Sequence, residues 1–181
     1  MKIAINATTF NNTPSGANQR FFGIYPKLFK LLPKINFIIF TSSDFGNYQL
    51  FNKFNNVRIV KTPINSNNRL QKFFFGFFYW NFVCKEKYNF LEGFHLPFFL
   101  KDRTKGILTL HDVRGLYHKL FFFPFLYKLY LNLSIRKIKF IISVSNSIRK
   151  EILYFYPNIK IYNVENGINL NLLTKKGLSF K

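Results

Sequence analysis

The chain has 181 residues, 48% of them hydrophobic, and carries 27 Lys and Arg against 7 Asp and Glu, a formal net charge of +20. That apolar share excludes a disordered polymer, and the length suits one domain with a sizeable core. The lone Cys84 excludes an intramolecular disulfide and fits a reducing compartment. Met1 to Asn6 enters a strand-like run with no signal-peptide pattern, so a cytoplasmic location is expected. The longest uncharged apolar stretch, Phe73 to Cys84, is interrupted by Gly76 and Asn81 and falls short of the roughly 20 residues that a membrane-spanning helix needs. The charge has two readings: an anionic partner, or the Lys-, Asn-, Phe- and Ile-rich usage of an AT-rich genome.

In chain order, residues 2–7 (KIAINA) predict a buried strand, and 8–17 (TTFNNTPSGA) a loop. Asn18 to Leu32 carries Phe21, Phe22, Tyr25, Leu28, Phe29 and Leu32 at helical spacing, with Pro26 expected to kink or split that helix. Residues 36–41 and 57–61 predict strands. Leu70 to Lys87 predicts a helix that is apolar almost all round and therefore buried against the sheet. Lys72, Lys85 and Lys87 at its ends leave contact with an anionic leaflet as the other reading.

Further strands are expected at 88–92, 106–110, 141–144 and 160–164. A helix is expected from Pro124, where a missing N–H costs nothing, to the basic pair Arg136-Lys137, which complements the helix dipole. Another should start at the N-cap Ser145, bury Ile148, Ile152 and Phe155, and stop before Pro157. Alternating strands and helices at this spacing predict an α/β fold: a doubly wound, mainly parallel, Rossmann-like sheet of six or seven strands with helices on both faces.

Such a sheet binds ligands outside the carboxyl ends of its strands, which singles out the loops 8–17, 92–98, 111–117, 143–145 and 165–168. The chain contains no G-x-G-x-x-G, no P-loop and no nucleophile elbow. His95, His111 and His118 lack metal-ligand spacing, so no metal is expected. What remains is the small-residue turn Ser15-Gly16-Ala17, which opens a helix and so offers free N–H groups to a phosphate, with Arg20 one turn on. His111-Asp112 closes a strand on the ligand side. His111 is able to donate or accept near neutral pH, and Asp112 to accept from a hydroxyl or cap its own turn.

Several segments resemble, in order, the N-terminal domain of family 4 glycosyltransferases of the GT-B fold. They are Met1 to Asn6, Ser15 to Phe21, Leu91 to Pro97, Thr109 to Leu116, Ile141 to Ser145, and Glu165 to Ile168. The resemblance covers nearly the whole chain. It departs from the family at Asn6, where an acidic residue often stands.

It implies a metal-independent, retaining transfer of sugar from a nucleotide-diphosphate donor to a glycan or lipid-linked acceptor. Residues 1–170 would be the acceptor-side domain, one half of a GT-B fold, and 171–181 a frayed tail at the junction. A separately encoded donor domain is one way to complete the enzyme. The implied catalytic pair is His111 and Asp112, with Ser15, Gly16, Ala17, Arg20, His95, Ser145, Asn166 and Gly167 in substrate binding. The Gly16 loop would approach the donor phosphates, and His111 would lie by the transferred sugar. The competing reading is a basic α/β module for nucleic acid or an anionic membrane surface. Nucleic acid is not the expected partner, because the aromatics are mostly Phe at core-like spacing.

Overall fold

A computed structural model describes residues 1–10, 15–44, 51–68, 71, 78–94, 96, 98, 100–102, 105–113, 116 and 124–165. Seven strands form one sheet: β1 (Lys2–Ala7), β2 (Asn36–Thr41), β3 (Val57–Lys61), β4 (Phe90–Gly93), β5 (Gly106–Leu110), β6 (Phe140–Ser143) and β7 (Ile161–Asn163). The order is β3-β2-β1-β4-β5-β6-β7 and every pairing is parallel. This is the Rossmann-like, doubly wound α/β arrangement expected from the alternating pattern. All five residues of β5 are buried, as a strand covered on both sides requires.

Strand alternation divides the core in two. Ile5, Ala7, Phe37 and Ile39 face α1 (Gly16–Leu31) and meet its Phe21, Tyr25 and Phe29. Ala4, Ile38, Phe40, Leu91, Leu108 and Ile141 face the other way. There they meet Leu131 of α2 (Pro124–Ile135) and Ile152 of α3 (Asn146–Phe155). Helices therefore cover both faces.

Ser15 caps α1, its hydroxyl accepting from the Asn18 N–H at 3.1 Å, and Ser145 caps α3 in the same way through Ile148 at 3.2 Å. α3 ends at Phe155, ahead of Pro157, as expected. Two expectations are narrowed. α1 runs through Pro26 unsplit, which leaves only the kink of the expected kink or split. One lost N–H and a steric penalty of about 3 kcal/mol are outweighed by Phe21, Tyr25 and Phe29, all buried against the sheet.

Of the helix expected from Leu70 to Lys87, residues 70 and 72–77 lie outside the described residues, and the helical part that is described ends at Val83. Its last turn, Tyr79–Val83, is π-helical, and the Cys84 N–H donates to the Tyr79 carbonyl at 2.7 Å. Cys84 is already extended, and Glu86 is drawn into an ion pair with Arg58 of β3 as the chain heads for β4. Nor is the segment wholly buried. Tyr79 and Trp80 enter the core, whereas Phe78, Phe82 and Val83 are exposed.

Gly93, at the end of β4, has a packing reason to lack a side chain. A Cβ there would come within 2.6 Å of the buried Phe98 ring.

Candidate functional site

The strand order reverses between β1 and β4, which are hydrogen-bonded neighbours although α1, β2, β3 and the π-helical turn Tyr79–Val83 lie between them in the chain. In an open α/β sheet, ligands bind in the crevice beyond the carboxyl ends of the strands at this point. Ala7, Glu92 and Leu110 stand there, at or next to the ends of β1, β4 and β5, and the N-terminus of α1 returns over them.

The structure brings two sequence-expected residues side by side. A Cβ on Gly16 would lie 3.7 Å from Nδ1 of His111, so the first turn of α1 rests beside the imidazole. The Gly16 backbone is not in the left-handed region, so the turn itself would accept another residue; what glycine supplies is room next to His111. The Phe94 ring lies 6.4 Å from the imidazole, centroid to centroid. Nε2 of His111 is buried and has no hydrogen-bond partner among the described residues. Burial, reinforced by the nearby Arg20 guanidinium and opposed by Asp112, holds the His111 pKa down at about 4. The imidazole is therefore neutral at physiological pH, a polar group that carries no charge.

Arg20 is only 7% exposed. Its guanidinium donates to the carbonyls of Val164 at 2.9 Å and Glu165 at 3.3 Å. It thereby ties α1 to the segment following β7, so three of the five carboxyl-edge loops converge on α1. Ala17 is buried in the α1-side core. Asp112 is half-buried, and its carbonyl accepts from the Tyr127 hydroxyl at 3.5 Å. Ser15 and Ser145 both spend their hydroxyls on helix caps. His95, Asn166 and Gly167 lie outside the described residues. Asn6, at the position where an acidic residue was looked for, accepts from the N–H and hydroxyl of Thr8 and so closes the turn after β1.

One part of the site was not singled out in the sequence. Glu92 is buried at the switch point, with one carboxylate oxygen accepting from the Tyr25 hydroxyl of α1 at 2.5 Å. The other accepts from the Thr109 hydroxyl of β5 at 2.6 Å. Burial raises the Glu92 pKa, while the two hydroxyls and Arg20 pull the other way. Tyr25 is raised well above its ordinary value by burial and by the adjacent Glu92. The available signal was an acidic residue inside an otherwise apolar strand (Phe90-Leu91-Glu92-Gly93), in a chain with only 7 acids.

Among the described residues no group of three or more His, Cys, Asp and Glu is placed to hold a metal ion. None of the described helices is long and apolar enough to cross a membrane. No known protein-family description matches the chain. No curated protein matches it significantly.

Proposed function

We propose that this domain is the acceptor-side half of a retaining glycosyltransferase that uses a nucleotide-diphosphate sugar. The observation that carries the reading is the closeness of Gly16 to His111 at the switch point, with the imidazole neutral and its Nε2 without a partner among the described residues. A sugar ring offers many hydroxyls and no charge. A neutral imidazole donates to or accepts from such a hydroxyl without having to be desolvated as an ion.

The first turn of α1 complements this. The Asn18 N–H is taken by Ser15, while the N–H groups of Gly16 and Ala17 have no acceptor within the helix. In this reading they serve a leaving diphosphate as it accumulates charge, which fixed donors stabilise more effectively than reorganising water. Arg20 acts through position: it holds α1 against the strand ends and lowers the His111 pKa. In this reading a second domain supplies the opposite wall of the cleft and grips the nucleotide. The chain order of the six segments that resemble this family supports the same assignment.

The test is a transfer assay with a panel of nucleotide sugars and glycan or lipid-linked acceptors, on the polypeptide alone and with a donor-binding domain supplied in trans. His111→Ala should reduce turnover by more than tenfold, about 1.4 kcal/mol of barrier or more. Transfer that survives His111→Ala within that limit removes His111 from the site, and its complete absence under all conditions removes the reading.

A further inference from the structure

Two exposed apolar surfaces lie on the face of the sheet away from α1. Phe78 and Phe82, with rings 5.9 Å apart, are 50% and 61% exposed, and Val83 adjoins them. On α2, Phe125 is 74% exposed, and Leu129 and Leu133 continue the stripe at four-residue intervals along one side of the helix. Trp80 and Leu131, on the inner sides of these two segments, belong to one core cluster, so both segments cover the same face.

The two surfaces are also close together. The Phe98 N–H donates to the Ser134 hydroxyl of α2 at 3.1 Å, and the Lys101 N–H donates to the Asn81 side chain at 2.7 Å. This four-residue strap can span at most about 14 Å. One helix layer therefore presents two apolar ridges to the outside on the same face of the sheet.

Among the described residues, the charge around them is mainly positive. Nζ of Lys101 sits 3.7 Å from the centre of the Phe82 ring, and Lys85 and Lys87 follow on exposed chain. Lys128 lies beside the α2 stripe and Arg136-Lys137 ends it, all three exposed. α2 contains no Asp or Glu. The two nearby carboxylates are engaged, Glu86 with Arg58 and Asp102 with Lys105.

We infer that this layer docks the domain on an anionic phospholipid bilayer, with Phe78, Phe82, Phe125 and their aliphatic neighbours entering the headgroup–acyl boundary and the surrounding cations meeting lipid phosphates. Apolar residues rimmed by Lys and Arg are what interfacial insertion needs. A nucleic acid would use the cations but has no use for Val83, Leu129 and Leu133, which cannot stack on bases. The inference stands apart from the sugar-transfer reading: a bilayer result leaves that reading as it was.

The chain's one Trp, Trp80, stands between Phe78 and Phe82 in sequence and reports on this surface alone. Vesicles of phosphatidylcholine, with and without phosphatidylglycerol, are sedimented with the full chain, and Trp80 quenching by acyl-brominated lipid is read in parallel. Binding is expected to the anionic vesicles, with quenching. The Phe78→Ser/Phe82→Ser and Phe125→Ser/Leu129→Ser pairs should each weaken it about tenfold or more. Lys101→Gln and Lys128→Gln should each weaken it about fivefold. Circular dichroism checks folding, and the two serine pairs lie on separate elements, so misfolding of one leaves the other informative.

No vesicle binding, or equal binding with and without anionic lipid, overturns the inference. So does anionic binding that both serine pairs leave intact, because that is diffuse attraction to a chain of net charge +20. Tighter binding to a single-stranded oligonucleotide, or self-association abolished by the serine pairs without vesicle binding, assigns the surface to another occupant and overturns it as well.

Discussion

The two faces of the sheet use the same Phe-rich composition in opposite ways. Under α1, the rings of Phe10, Phe21, Tyr25, Phe29, Phe51 and Phe94 pack edge to face or tilted at centroid distances from 4.7 to 6.2 Å, and all are buried. This face surrounds one polar cluster, Tyr25–Glu92–Thr109, and carries His111 at its edge. The opposite face is floored mainly by aliphatic residues, Leu91, Leu108 and Ile141, and the helices above it turn Phe78, Phe82 and Phe125 outward. An aromatic residue on the α1 side is therefore an element of the fold. One on the outer side of the other layer contributes little to folding and is free to serve a surface role.

Phe21→Ala should have the largest effect, because it removes a fully buried ring that touches five aromatic neighbours. A loss of about 4 kcal/mol is expected, measured by urea unfolding with an unchanged slope. A loss below about 1 kcal/mol would mean that the α1 face is not the tightly packed one.

Glu92→Ala comes next. It leaves the Tyr25 and Thr109 hydroxyls buried without their acceptor and opens a cavity, at a cost of about 3 kcal/mol. Glu92→Gln should stay within about 1 kcal/mol of the parent, since the amide keeps hydrogen-bonding capacity for both hydroxyls and removes a charge that burial disfavours. Equal losses for the two variants would show that the charge, rather than the hydrogen bonding, holds α1 to β4 and β5.

The third effect is pH-dependent. Below its ordinary pKa of 6.5, His111 binds a proton in the unfolded chain that the folded chain refuses until about pH 4. Its contribution to stability is thus fully present above pH 6.5 and is lost as pH falls toward 4. His111→Gln should flatten that part of the profile by about 1–2 kcal/mol, the full shift being discounted for partial solvent access. Stability curves of parent and variant that stay parallel from pH 7 to about pH 4 would show that the imidazole is not held neutral.

Phe125→Ser should have the smallest effect, within about 0.5 kcal/mol, because the side chain is largely in solvent in the folded protein as in the unfolded one. A loss near that of Phe21→Ala would erase the contrast between the two faces.

What the sequence determined by itself was local. Apolar runs marked every strand to within two or three residues, and Ser145 and Pro157 marked the ends of α3, because hydrophobic period and capping chemistry act over a few neighbours along the chain. The ligand edge followed from the alternation of strands and helices. Tertiary structure decided the rest. That β4 lies against β1, that Gly16 meets His111, and that Arg20 reaches Val164 are pairings between residues far apart in sequence, and no local signal encodes them. Glu92 read as an isolated acid until Tyr25 and Thr109 were brought to it from α1 and β5. Pro26 read as a kink or a split; the helix continues through it, because burial of the rings on either side outweighs its penalty. Which side of the segment ending at Val83 would be buried was undecidable from its composition, because a stretch apolar all round carries no preferred face; only packing of Trp80 against Phe40 chose one.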